Sequence, residues 1–207
     1  MDTQLTFINQ SESPSSNVVI FQKNTASRAG QIAVAWQVIE NSVPGSSYPF
    51  VYQSAVELAA ADSFGNATAT IPANNGQLYR VYDAGLGNEI EGAGSVVNQE
   101  SIQVRNDLQI GNISVVLYRN GGIIAMKTGI APQQKAVFQF KPTIWIGVVS
   151  QVQAGDLINQ AILSQINTEL SLLGIEKAKI IMTGGGLGTT ARPYQFKLAD
   201  IIYAPGA

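Results

Sequence analysis

Along most of the chain apolar and polar positions follow a period of two, or gather in short apolar runs bounded by Asn, Gly, Pro and Ser. "QLTFIN" at 4–9 reads as a strand with Leu5 and Phe7 on one side and Thr6 and Ile8 on the other. "SESPSSN" at 11–17 is a turn cluster, and "VVIFQK" after it is a strand. "IAVAWQVIE", "YPFVYQSAVELAA", "NATATIP" and "LYRVYDA" continue the pattern to residue 84, separated by "NSVPGSS" and "ANNGQ". "SIQVRN" and "ISVVLYR" are strands, and "NGG" at 120–122 marks a hairpin because Asn and Gly tolerate positive φ. "IIAMKTGI", "KAVFQF" and "TIWIGVVSQV" complete the run, the last two separated by Lys141-Pro142. One stretch is ambiguous: Ile158, Ile162, Ile166 and Leu170 recur every four residues after Asp156, which predicts a short helix over 157–167. The expected fold is all-β, an antiparallel β-sandwich with at most one short helix.

The pattern repeats. Phe7–Gln22 aligns with Val104–Arg119 without a gap, putting Asn9 on Asn106 and Val18, Val19, Ile20 and Phe21 on Val115, Val116, Leu117 and Tyr118. Pro44 then falls on Pro132, Phe50 and Tyr52 on Phe138 and Phe140, and Val56, Leu58 and Ala60 on Ile144, Ile146 and Val148. "YRVYDAGLG" at 79–87 matches "IIMTGGGLG" at 180–188. The blocks keep their order, so the reading is two tandem-duplicated sandwich-like units, 1–90 and 91–207, with the Gly-rich "GLGNEIEGAGS" at 85–95 as the linker.

Composition narrows the chemistry. Among 207 residues there is no His and no Cys, which removes the commonest general base, the usual zinc and copper donors, disulfides and any Ser–His–Asp triad. The 14 acidic and 12 basic residues leave a net charge of −2, so nucleic-acid binding has no electrostatic support. No run of 18 apolar residues predicts a transmembrane helix, and "MDTQLTFINQ" lacks the basic and apolar regions of a signal peptide; the expected location is cytoplasmic, with extracellular release by a non-classical route as the alternative.

Few residues invite a site. "TGGGLGTT" at 183–190 lacks the Lys of a P-loop and is followed by Pro193, so it reads as a turn or bulge. Glu89 and Glu91 stand at i, i+2, and Asp62 precedes Asn66 near Gly65; each reads as a solvated loop rather than a Ca²⁺ site or a catalytic pair. Trp36 and Trp145 are core aromatics, or alternatively stacking platforms for a glycan. The first strand, residues 3–9, carries no charge, and an uncharged edge strand adds readily to a neighbour's sheet. The leading expectation is therefore a non-enzymatic structural protein without cofactor or metal, its partners copies of itself, self-associating through Leu5, Thr6, Phe7 and Ile8 into a homo-oligomer or fibre. The alternative is a lectin-like or membrane-surface binding module, with pore formation by strand rearrangement as a variant. A carboxylate-based hydrolase is a third class, which needs two acids converging in a cleft.

The stretch "NVVIFQKN…IAVAWQVI…VPGSSYPFVY" resembles bacterial rhizosphere-expressed proteins of the RhiA type, in which an Asn-rich start leads to an apolar strand ending in Gln, an Ala-Trp strand and a Gly-containing turn before an aromatic strand. Tyr52 stands where that pattern has Trp. The resemblance implies a small β protein, and brings no catalytic residues to this chain.

Overall fold

The structure, a computed structural model, describes residues 1–26, 33–166 and 168–206. Eight strands occupy the first part of the chain: β1 (Thr3–Asn9), β2 (Ser16–Phe21), β3 (Ala33–Ser42), β4 (Ser47–Tyr52), β5 (Val56–Asp62), β6 (Ile71–Ala73), β7 (Gln77–Asp83) and β8 (Asn88–Ser95). Nine follow: β9 (Ser101–Asn106), β10 (Ile113–Arg119), β11 (Gly122–Ile130), β12 (Lys135–Gln139), β13 (Thr143–Val148), β14 (Leu157–Ile158), β15 (Thr168–Ser171), β16 (Ile175–Gly185) and β17 (Arg192–Tyr203). Among the described residues one α-helix forms, α1 (Gln160–Gln165), and it precedes β15. The all-β sandwich architecture expected from the period-two pattern is thus present. The helix lies inside the predicted 157–167 window, but Asp156 does not cap it: Asn159 accepts from Ile162 N at 3.0 Å, and Asp156 instead accepts from Gln153 N.

Two compact units form, and they do not divide at residue 90. Unit 1 comprises Met1–Lys23, Ala33–Ser54 and Pro142–Ala207; unit 2 comprises Asn24–Ile32 and Ala55–Lys141. In unit 1 one sheet has the order β17-β16-β1-β4 and the other β14-β3-β2-β13-β15. In unit 2 the orders are β8-β7-β9-β12 and β11-β10-β5-β6. Pairing is antiparallel except at the centre of one sheet in each unit, where β1 lies parallel to β16 and β7 parallel to β9. The chain therefore crosses between units after β4 and again after β12, so unit 1 draws its strands from both ends of the sequence and unit 2 draws its strands from the middle.

The cores follow from the side-chain pattern. In β10 the burial alternates strictly, Ile113, Val115 and Leu117 inward, as one covered face requires. In β2 the run Val18-Val19-Ile20-Phe21 is buried throughout, because both faces are covered. Val19 and Phe21 pack with Ala33, Ala35, Val152, Ile158, Leu163 and Ile166, so the segment carrying β14 and α1 lies over this sheet's outer face. Ile166 packs tightly against Gly147; a Cβ there would stand 2.7 Å from Ile166 Cγ1. The inner face holds Trp36, whose ring meets Phe50 and Tyr52 edge-on at 6.1 and 6.0 Å.

Each unit is pinned by one buried asparagine at the end of a strand. Asn9 Nδ2 donates to Ser42 O at 3.0 Å, and its Oδ1 accepts from Ser11 N at 2.8 Å. Asn106 Nδ2 donates to Ile130 O and Gly111 O, both at 2.9 Å, and its Oδ1 accepts from Leu108 N at 3.0 Å. Both residues are fully buried, and both satisfy backbone groups where a strand leaves its sheet.

Candidate functional site

The residues expected to form an open edge do not. β1 is hydrogen-bonded on both sides, to β16 and to β4, and Leu5 and Phe7 are buried. Thr6 and Ile8 pair with Lys179 and Ile181 on one side and with Pro49 and Ser47 on the other. Having no charge in 3–9 reflects an interior strand, which needs none, rather than an exposed one that lacks protection. The outer strands carry the protective residues instead: Pro49 in β4, Pro72 in β6, Lys127 in β11, Lys135 in β12, Glu169 in β15, and Pro193 and Lys197 in β17.

The tryptophans are likewise engaged. Trp36 is buried in unit 1 and offers no platform. Trp145 is half-buried, stacked on Phe21 at 6.5 Å, while the Lys23 ammonium sits 3.2 Å from its ring centroid. Burial pulls the Lys23 pKa down, and Glu169, which faces Trp145 across the strand pair, acts against that shift.

The acidic candidates are partnered. Glu91 holds Arg80 at 2.5 Å, and Glu89 accepts from the Tyr82 hydroxyl at 2.9 Å. That hydrogen bond raises the Tyr82 pKa, because it favours the neutral phenol. Asp62 closes its own loop: Oδ1 accepts from Phe64 N at 2.8 Å and Asn66 N at 2.9 Å, and Oδ2 from Asn66 Nδ2 and Asn88 Nδ2. These bonds, the one from the Asn66 side chain above all, hold its carboxyl below the ordinary range. Asp107 is held low by its contacts to Arg105 at 2.5 and 2.7 Å. Among the described residues no three His, Cys, Asp or Glu side chains converge as a metal site would require.

What the pattern of strands concealed is the loop end of unit 2. β7 and β9 run parallel and finish side by side, Val81 opposite Asn106, and the end of β5 meets the start of β10, Asp62 opposite Ile113. The loops 63–70, 84–87 and 107–112 therefore project from one end of the unit. Each carries a large apolar side chain in the solvent: Phe64 at 86%, Leu86 at 104% and Ile110 at 86% exposure. All three stand in the same triplet, apolar-Gly-Asn: Phe64-Gly65-Asn66, Leu86-Gly87-Asn88 and Ile110-Gly111-Asn112. In each the Gly has positive φ, 90°, 149° and 95°, so the chain turns sharply just after the apolar tip. Phe64 and Ile110 flank a cleft of 520 Å³ whose floor includes Asp62, Asp83 and Asn88, and Asn88 also borders a 400 Å³ hollow beside Leu86. The repeated triplet is the signal in the sequence that marks these tips.

The corresponding end of unit 1 is built differently. There a 760 Å³ cleft is lined by Ser15, Asn17, Ser150, Gln151, Gln165 and Tyr194 among others, with no charged side chain. Tyr194 bridges Ser13 Oγ at 2.6 Å and Ser16 Oγ at 3.2 Å. The "TGGGLG" stretch lies behind it as a packed turn, with Gly184 against the Pro193 carbonyl and Gly185 against Ser13 and the Tyr194 ring.

These features define an all-β sandwich protein with loop-borne surfaces at the ends of its units. Compared with known proteins, the chain matches no family model, no curated protein and no solved structure.

Proposed function

We propose that the protein is a non-enzymatic binding module that docks end-on to a neutral lipid surface through Phe64, Leu86 and Ile110. The observation that carries this reading is the apolar-Gly-Asn triplet on three adjacent loops, each with its apolar side chain held in solvent by a glycine turn. A large apolar side chain left in water forgoes roughly 1.5–3 kcal/mol that burial would supply. Three such tips on a rigid sandwich end offer a lipid interface about 5–9 kcal/mol before the costs of immobilisation. That is the scale of weak, reversible membrane attachment, of the order given by a single acyl chain. The loops 63–70, 84–87 and 107–112 contain no Lys or Arg, while Asp62, Asp83 and Asp107 lie beneath the tips. Anionic lipids gain no attraction there, so the surface that fits is zwitterionic.

The test is sedimentation with phosphatidylcholine vesicles. The wild-type chain is expected to pellet with them, and the variant Phe64→Ser/Leu86→Ser/Ile110→Ser to stay in solution with an unchanged melting temperature. A wild-type protein that stays in solution with these vesicles sinks the proposal, as does a triple variant that still pellets.

Self-association is the second reading, and it now rests on β17. This 12-residue strand is the outermost of its sheet and exposes Ile202 and Tyr203 at its far end. Light scattering of Ile202→Lys against wild type over a concentration series tests it: the reading requires an oligomer that the added charge dissolves.

A further inference from the structure

We propose that the two halves of the chain, joined by the loop at 96–100, are copies of one strand-exchanging unit, and that each half is the binding partner of the other. The pairing registers carry this. Phe7 faces Ile180 and Tyr48, while Val104, its counterpart in the repeat, faces Tyr79 and Ala136. Those neighbours are themselves counterparts: Tyr79 of Ile180, and Ala136 of Tyr48 by the spacing that sets Pro44 on Pro132. In the facing sheets Ile20 meets Ile146 and Gln37, and Leu117 meets Leu58 and Ala125. The irregularities coincide too. β2 breaks register against β3 between Ser16 and Val18 and between Ile20 and Phe21; β10 breaks against β11 between Ile113 and Val115 and between Leu117 and Tyr118. Left-handed residues recur at Asn41 and Gly129, and at Gly45 and Gln133. The Asn9 and Asn106 pins bond to matching positions, Ser42 and Ile130, Ser11 and Leu108.

The copies are not folded side by side. Unit 1 combines β1–β4 of the first half with β13–β17 of the second, and unit 2 combines β5–β8 of the first with β9–β12 of the second. The seam between halves runs through the middle of all four sheets, at β1 with β16, β2 with β13, β7 with β9 and β5 with β10. What one half supplies to a unit is two pairs of strands, to which the second half adds β14 against β3 in unit 1, and these do not hold a sandwich without the other half. The exchange points are the connections β4–β5 and β12–β13, each of only three residues, and short hinges favour exchange over closure. The chain has the form of a strand-exchanged dimer made covalent, and the apolar tips join one unit from two halves, Phe64 and Leu86 from the first and Ile110 from the second.

A cut between the halves tests this in the folded protein. A protease sequence inserted after Val97, which is fully exposed, is cleaved once the chain has folded. The nicked protein is expected to run as one species at the summed mass of its two fragments on native mass spectrometry and to separate into them only in denaturant. Two independent fragments under native conditions, folded or not, overturn the proposal. A second variant, Gln4→Cys with Lys177→Cys, places the chain's two cysteines at a cross-half register pair. After oxidation and nicking, a single band on a non-reducing denaturing gel is expected; two bands overturn it equally.

Discussion

Unit 1 and unit 2 share a framework and differ at their loop ends. In both, a parallel pair sits at the centre of one sheet, and a buried asparagine closes the strand end beside it. Above that level they part. β2 is buried on both faces, because the segment carrying α1 folds over it, whereas β10 keeps one face partly open, and the loop after β5 is short. One loop end holds an uncharged polar cleft and exposes Leu187, the residue aligned with Leu86; the other presents three apolar tips over aspartates. The difference shows where this architecture is constrained and where it is free. Strand order and the polar pins at the sheet ends are what the fold requires, and the loops are where binding chemistry varies.

The sharpest way to break the comparison is to remove the pins. Asn9→Ala and Asn106→Ala each strip several hydrogen bonds from buried backbone groups at about 1–3 kcal/mol apiece, so each is expected to cost about 3–5 kcal/mol. Urea denaturation monitored by tryptophan fluorescence and by far-UV circular dichroism measures both. Equal losses support one structural role in two places; a silent variant at either position ends the equivalence.

Next come the two glycine turns, which look alike in sequence and are not alike in space. A Cβ on Gly184 would run into the carbonyl oxygen of Pro193, at a residue whose φ is already +85°. Gly85 has the same φ but nothing within 4 Å of the added carbon. Gly184→Ala is expected to cost roughly 2–4 kcal/mol and Gly85→Ala about 1 kcal/mol, the strain of the left-handed backbone alone. Thermal unfolding of the two variants measures the gap, and equal shifts would mean that the turns are packed alike.

How much of this was legible beforehand follows from the range of each interaction. Strand positions and inward residues were readable because the period of two is local, and "VVIF" already showed a strand without a polar face. The gapless alignment of Phe7–Gln22 with Val104–Arg119 was readable for the same reason. The division of the strands between the two units was not: similar strand patterns before and after residue 96 offer equally good partners within and between themselves, and the three-residue connections at 53–55 and 140–142 bear on the choice. The place of β1 inside its sheet is not legible from its lack of charge, because interior strands and unprotected outer ones share that feature. Trp36 and Trp145 lie in similar strand contexts, yet one is enclosed by Phe50 and Tyr52 and the other capped by Lys23, contacts set by tertiary packing. Phe64 and Ile110 lie outside the period-two runs, and the recurring apolar-Gly-Asn triplet is the feature that sets them apart.

A smaller effect separates the pins themselves. Among the described residues Ser11 Oγ is the buried side-chain polar atom without a hydrogen-bond partner, next to the Asn9 pin; beside Asn106 the matching position is the apolar Leu108. Ser11→Ala keeps the backbone bond to Asn9 and removes the orphan hydroxyl, so it is expected to stabilise unit 1 by about 1 kcal/mol. A loss of stability of that size in the same urea series would show that the hydroxyl is satisfied in solution.

The smallest expected effect tests the loop ends by acid. Asp62 has its carboxyl pKa lowered in the folded chain, chiefly by the Asn66 side chain, so folding favours its ionised form. The contribution is complete above the ordinary carboxylate value of about 4 and is lost as pH falls through the lower folded value. Protonation removes acceptor capacity from the oxygens that receive Phe64 N and Asn66 N, so the Phe64 tip loosens below that point. The unit 1 loop end is held by the hydroxyl contacts of Tyr194 with Ser13 and Ser16 and by Gly186 N donating to Ser13 Oγ, with no carboxylate among these bonds. Amide NMR shifts followed from about pH 7 to about pH 2 are expected to move for Phe64 and Asn66, with a midpoint below the ordinary Asp value. A midpoint at or above the ordinary value would mean that the Asp62 loop is open in solution, and the contrast between a loop end held by a carboxylate and one held by hydroxyls would go with it.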